Sequence, residues 1–379
     1  MQTSIYTENA YWQQKLTSWD PVMTPFTVIM LLSIVGVIFL PIGVSMLYSA
    51  NNLYNQSIQY GGEGTAVANS CPGGACTLDF KIDQKIDGKL YLYYEVDNYY
   101  QNNIKYSSSV NWDQMMGKID IPLDTLEKSC DPAVTNSTYT LNPCGLIAKS
   151  YFTDSYSINL STSSVRGTVP TALEMSEEHI TGSIDSDLFV QPKGFVFKAL
   201  SGTDTCVNRA TMTPATCAAA GLEQGCKCYQ NPDTSEYYYF WYPNDDTTLY
   251  LYEMYPQTQV GGISPIVGVR DPHFMNWMNI AALPNFRKLY AVIKLEDGSF
   301  NVGDTLSFDV SSVVDVNSFN GKKSLVLSAQ GTLGLSNPGL GITYIVTGGA
   351  CLLFSIIFFL KQEISPRPLP TPASLNWIK

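Results

Sequence analysis

The sequence predicts two transmembrane α-helices bracketing a mostly-β (α+β), antiparallel, sandwich-like and disulfide-bonded ectodomain. Three observations predict it. Two uncharged apolar runs, Phe26 to Tyr48 and Gly339 to Leu360, lie near the two ends of the chain. Each reaches the ~20 residues that a helix needs to cross a bilayer. Eight of the nine cysteines lie between them, which places that stretch in an oxidising compartment. The stretch itself, residues 49–338, alternates strand-forming runs with turn residues.

The elements follow in order. Residues 1–25 form a short polar tail. Pro25 suits a helix start, because the first turn does not use its missing N–H. The first span, 26–48, is longer than the apolar part of a signal peptide, ~7–15 residues, and lacks a small residue at −3 from its exit, so it reads as an uncleaved anchor. Pro41, with Gly43 after it, should kink this span near its outer end.

In the 49–338 domain, strands are expected over 90–96, 237–242, 248–252, 287–294, 305–314 and 324–327, and helices over 142–150 and 273–282. The second span, 339–360, follows Asn337-Pro338. Gly341, Gly348 and Ser355 recur every seven residues along it, and Gly36 and Gly43 do so in the first span. Small faces let helices approach closely in lipid. This face meets either the other span or a helix of another protein. Residues 361–379 form the closing tail.

Orientation comes from charge. The last tail carries a net +2 (Lys361, Arg367 and Lys379 against Glu363) and the first tail −1. Of the chain total of −11, the domain between the spans thus carries −12. The positive-inside bias puts both tails in the cytosol and the domain in the lumen or outside the cell, on the endomembrane system (ER or Golgi) or the plasma membrane. The sequons Asn55, Asn136 and Asn159 all fall in this domain. So acidic a domain argues against nucleic acid as a partner.

The domain's eight cysteines suggest a local pairing. Cys71 and Cys76 flank a Pro-Gly-Gly turn, and Cys130 and Cys144 bracket the Asn136 sequon. Cys206, Cys217, Cys226 and Cys228 pair among themselves, for which nesting Cys206 with Cys228 and Cys217 with Cys226 is one of three arrangements; exchange with Cys71 or Cys76 stays open.

Catalytic signatures are scarce. The two histidines, His179 and His273, stand alone, and no HExxH, P-loop or Gly-x-Ser-x-Gly is present. Cys226-Lys227-Cys228 reads as disulfide rather than metal. The Asp185–Asp187 and Asp245-Asp246 turns read as solvated rather than calcium-binding. No ionisable residue lies inside either span, as a transport pathway of its own would need. The chain is expected to be no enzyme, to need no cofactor, to have no small-molecule substrate of its own, and to act through a partner.

Six ordered motifs carry a family resemblance. They are Trp12-Gln13-Gln14-Lys15-Leu16 with Trp19-Asp20-Pro21; Phe39-Leu40-Pro41-Ile42-Gly43; Tyr99-Tyr100-Gln101-Asn102; Pro143-Cys144-Gly145 through Ser150; Trp277 through Tyr290, including Leu283-Pro284-Asn285-Phe286-Arg287; and Asn337-Pro338 with Leu340-Gly341-Ile342. In these the chain resembles the accessory β-subunits of phospholipid flippases (type-IV P-type ATPases), the cell-division-control-fifty or ligand-effect-modulator family.

The resemblance implies a non-catalytic subunit of a large P-type ATPase, working among membrane lipids and supporting that partner's folding, ER exit, stability and activity. Candidate partner contacts are Gln13, Gln14, Lys15, Trp19, Pro41, Gly43, Phe286, Arg287, Gly341, Gly348 and Ser355. For Phe286 the other reading is a helix-to-strand corner that packs it with Trp277 into the core, and for Arg287 it is pairing with local acids. The alternatives to a flippase subunit are another complex using the same scaffold, a two-span channel, or a lipid receptor.

Overall fold

The computed structural model describes residues 24–71, 74–165, 173–177, 180–182, 186–200, 217, 226–232, 234–295, 299–330 and 338–366. The chain divides into two units, residues 1–52 with 331–379, and residues 53–330.

The first unit is a pair of helices, Pro25–Asn51 and Pro338–Ile364, both long and apolar enough to cross a membrane. Each extends a few residues past its apolar run, because helical hydrogen bonding continues through Ser49–Asn51 at one end and Lys361–Glu363 at the other. Thr24 caps the first helix by accepting the Thr27 amide at 3.2 Å. The helix is continuous through Pro41.

The two helices run antiparallel with their small faces together, and the buried positions are Gly36, Gly43 and Ala50 on one, Gly341, Gly348 and Ser355 on the other. A Cβ on Gly43 would lie 2.9 Å from the Gly341 carbonyl oxygen, and one on Gly36 would lie 2.9 Å from that of Gly348. Ser33 and Ser355 hydroxyls are 2.6 Å apart, and Ser355 donates on to the Ile29 carbonyl at 3.1 Å. The close approach and this short polar chain replace a hydrophobic driving force that lipid cannot supply.

The second unit has two antiparallel sheets over one core. The first orders its strands Asn55–Gly62, Lys322–Ala329, Leu90–Asp97, Phe286–Leu295 and Leu173–Ser176. The second orders Ala75–Lys81, Thr305–Ser311 and Ser155–Ile158. Leu90, Leu92, Tyr94 and Val96 alternate inward from the first sheet, and Leu78 and Phe80, with Leu306, Phe308 and Val310, do so from the second. A smaller sheet, Val196–Ala199 with Tyr237–Trp241 and Lys227–Gln230, has its own aromatic cluster of Phe240, Tyr242, Tyr250 and Tyr252. Disulfides join Cys71 to Cys76, Cys130 to Cys144 and Cys217 to Cys226. Cys228 is also disulfide-bonded, and Cys206 lies outside the described residues.

Several elements differ from expectation. Not every strand pair is antiparallel: Thr248–Tyr250 runs parallel to Tyr139–Asn142. The 248–252 strand stops at Tyr250 because Glu253 accepts the Tyr250 amide at 3.1 Å and opens the helical turn Leu251–Met254. Only Leu146–Lys149 of the 142–150 helix forms. Gly145, at φ +110°, carries the chain past the Ser109 carbonyl, where a Cβ would sit 2.1 Å from the oxygen. The strands Asn55–Gly62 and Ala75–Lys81 were not anticipated.

Candidate partner interface

The 273–282 helix is Pro272–Met278 in the structure, and what ends it builds the central junction of the domain. Beyond Met278 the backbone extends, and the ammonium of Lys288 reaches back to the freed carbonyls. Its Nζ donates to Asn276 O at 2.6 Å, to Trp277 O at 3.3 Å, and to Asn279 O. The same ammonium lies over the Trp277 and Phe286 rings, at 5.6 and 5.7 Å from their centroids. Among the described residues no carboxylate offsets this burial, which pushes Lys288 down to about 7.

Three of the motifs meet here. Across the 98–102 segment, Asn98 N donates to Asn285 Oδ1 at 3.0 Å and Tyr99 N to Pro284 O at 3.0 Å. Ala281 N donates to Gln101 Oε1 at 2.9 Å, and Asn102 Nδ2 to Ala282 O at 3.0 Å. The Tyr99 ring stands among Tyr106, Trp277, Phe286 and Phe319. Trp277 Nε1 donates to Ile147 O at 3.0 Å, which ties in the Pro143–Ser150 segment. That segment is held in turn by Cys144 N to Gln114 Oε1 at 2.8 Å.

The junction points three apolar side chains outward: Tyr100, Ile104 and Leu283, 57%, 83% and 67% exposed. Sequence reasoning missed them. No periodicity marks them: Tyr100 follows Tyr99 before a polar stretch, Ile104 follows Asn102-Asn103, and Leu283 ends Ile280-Ala281-Ala282 before Pro284.

The predicted contact residues are placed as follows. Gln13, Gln14, Lys15 and Trp19 lie outside the described residues. Pro41 is within the first helix, while Gly43, Gly341, Gly348 and Ser355 form the contact between the two helices. Phe286 is buried, and the exposed Arg287 pairs with Glu95 on the neighbouring strand. Arg287 Nη1 also reaches Asn55 Oδ1 at 3.4 Å.

Of the sequons, Asn55 and Asn136 are exposed. Asn159 is half-buried, with Nδ2 donating to Asp309 Oδ1 at 3.1 Å. Lys227, between two bonded cysteines, forms ion pairs with Asp245 at 2.6 Å and Glu253 at 2.9 Å, so the Asp245 carboxylate already has its cation. His179 and Asp185 lie outside the described residues.

Fold and junction together define a class: a membrane protein with two close-packed apolar helices and a disulfide-bonded β-rich domain. The chain belongs to the LEM3 (ligand-effect modulator 3) / CDC50 family, which matches residues 44–368. It is similar to cell cycle control protein 50A of Mus musculus, 28% identical over 367 residues that span 93% of this chain and 87% of that protein. It is similar also to ALA-interacting subunit 3 of Arabidopsis thaliana, 27% identical over 96% of this chain and 88% of the plant protein. A third relative is the phospholipid-transporting ATPase accessory subunit CRF1 of Saccharomyces cerevisiae, 27% identical over 96% of this chain and 87% of the yeast protein.

Proposed function

We propose that this chain is a non-catalytic accessory subunit of a phospholipid-translocating P-type ATPase, and that it supports that partner's folding, ER exit, stability and activity. The observation that carries the reading is the family match over residues 44–368, joined to a relative named as an accessory subunit of a phospholipid-transporting ATPase. In this reading residues 26–48 and 339–360 span the membrane, 1–25 and 361–379 are cytosolic, and 49–338 face the lumen or the cell exterior. The paired cysteines and the +2 charge of the closing tail support that orientation.

The partner's surface is expected to cover Tyr100, Ile104 and Leu283, since the family motifs behind them are consumed in holding one another. The lipid-facing sides of the two helices remain for the partner's helices, because the small faces are spent on each other. Gentle detergent extraction from native membranes, with identification of what co-purifies, tests the reading. A stoichiometric P-type ATPase supports it. A homotrimer, or a complex without such an ATPase, refutes it.

A further inference from the structure

Two facing segments of the junction are held rigid, and each leaves an apolar side chain outward. Residues 98–102 and 281–285 run past one another. Asn98 N donates to Asn285 Oδ1 and Tyr99 N to Pro284 O, both at 3.0 Å. Gln101 Oε1 accepts the Ala281 amide at 2.9 Å, and Asn102 Nδ2 donates to Ala282 O at 3.0 Å. Tyr100 therefore stands between the pinned Tyr99 and Gln101, and Leu283 between the pinned Ala282 and Pro284. Their side chains are nonetheless 57% and 67% exposed.

Surface loops are ordinarily the mobile part of a fold. Here the backbone beneath two exposed apolar side chains is fixed. Asn102 is itself exposed, and its bond holds a loop carbonyl beside Leu283 rather than a group of the core. The next turn, Ile104–Ser107, is set as well, because Asn103 caps it by accepting the Lys105 amide at 2.9 Å. Fixing an apolar side chain before association removes the cost of ordering it on binding. Tyrosine is among the residues that dominate interfaces when seated in a desolvated pocket.

Charge points the same way. Residues 98–112 and 272–295 contain no Asp or Glu, in a domain that carries −12. Interface cores are depleted of charged residues, and docking here desolvates no carboxylate of these segments. A second copy of the chain would bring another −12 to the contact, which disfavours self-association.

We infer that Tyr100 and Leu283 form a preset anchor pair that enters one apolar pocket on the extracytoplasmic surface of the P-type ATPase, with Asn102 as the positioning residue that keeps the two segments together. The inference rests on the accessory-subunit reading above.

The test uses the full chain with the P-type ATPase that co-purifies with it, immobilised through the chain in mild detergent, with release of the ATPase timed. Changes within one interface act chiefly on dissociation. Tyr100→Ala and Leu283→Ala should each speed release by about 30-fold or more, the size of a hot-spot truncation. Tyr100→Phe keeps the ring and should release near the wild-type rate. Asn102→Ala leaves both anchors present and should speed release about three- to tenfold, through the ordering cost it restores. Added to Tyr100→Ala with Leu283→Ala, it should have no further effect, because no anchor is left to position. Val302, 68% exposed and outside these segments, is the control, and Val302→Ala should change nothing. If no P-type ATPase co-purifies with the wild type, the accessory-subunit reading falls and the anchor with it. If the ATPase co-purifies but Tyr100→Ala and Leu283→Ala release it at the wild-type rate, or Val302→Ala acts as strongly, the anchor alone is overturned. An Asn102→Ala effect that persists without the anchors overturns the positioning role.

Discussion

Gln101 and Ala281 stand 180 positions apart in the chain, and the Gln101 side-chain carbonyl accepts the Ala281 amide at 2.9 Å. Gln101 is fully buried. The bond joins two of the family motifs. Gln101→Met keeps the volume but leaves the Ala281 N–H without an acceptor. It is expected to lower the unfolding free energy by about 1–3 kcal/mol, the cost of an orphaned buried donor. Urea unfolding of the detergent-solubilised chain, followed by tryptophan fluorescence, reads this directly; an unchanged midpoint contradicts it.

Lys288 sets a pH dependence. In the folded chain its ammonium loses its proton near about 7, whereas an unfolded lysine does so near ~10.4. Between those values the unfolded chain binds the extra proton, so this group makes stability rise with pH across the window. Below it both states are protonated and the contribution is flat. Unfolding free energies measured from neutral to alkaline pH should climb in the wild type and climb less in Lys288→Met. Parallel curves would refute the assignment.

Lys323 and Asp154 form a buried ion pair, at 2.7 Å, with both side chains almost fully enclosed. Asp154 also accepts from Tyr60 at 2.9 Å and from the Val313 and Val314 amides. Lys323→Met leaves the carboxylate without its cation and is expected to cost about 3–5 kcal/mol. Adding Asp154→Asn to it should cost less than the sum of the two single changes, since the uncompensated charge is then gone. Strict additivity in denaturant unfolding would show that the pair is not coupled.

The helix pair can be tested by cross-linking. In a Cys351→Ala background, Ser33→Cys with Ser355→Cys should form a disulfide readily in membranes, because the native hydroxyls are 2.6 Å apart. Adding Gly43→Val should suppress it. The new Cβ would lie 2.9 Å from a backbone oxygen and from a backbone nitrogen, neither of which can step aside. Equal yields on a non-reducing gel would mean that the helices meet differently.

The sequons separate by exposure. Asn136→Gln should remove one glycan's worth of mass on a gel, whereas Asn159→Gln should leave mobility unchanged, since the Asn159 amide is engaged with Asp309. A mobility shift on Asn159→Gln would count against this.

Much of the architecture could be read from residues alone, and its gaps have physical causes. The spans and the Leu90 to Val96 strand announce themselves by uninterrupted apolar or strand-forming runs. Ala75–Lys81 is also legible, since Leu78 and Phe80 alternate with Thr77, Asp79 and Lys81 in a period-2 pattern. Asn55–Gly62 was not readable. An edge strand with a polar sequence takes its conformation from the Lys322–Ala329 strand it joins.

The junction around Trp277 and Lys288 was the least legible part. The motifs fall on the segments that build it, and their conspicuous residues, Phe286 and Arg287, face inward or along the sheet. The outward residues are set by bonds between segments such as Asn102 and Ala282, which no local pattern encodes.

The strand order of the five-stranded sheet has a consequence for biosynthesis. Leu90–Asp97 lies between Lys322–Ala329 and Phe286–Leu295, so a ribosome delivers it nearly two hundred residues before either neighbour. Asn55–Gly62 waits longer still, for the last strand of the domain. During that interval this central strand of the sheet has no edge to join. A subunit proposed to help another protein mature is therefore itself a late assembler, whose core closes only when nearly all of residues 53–330 have emerged.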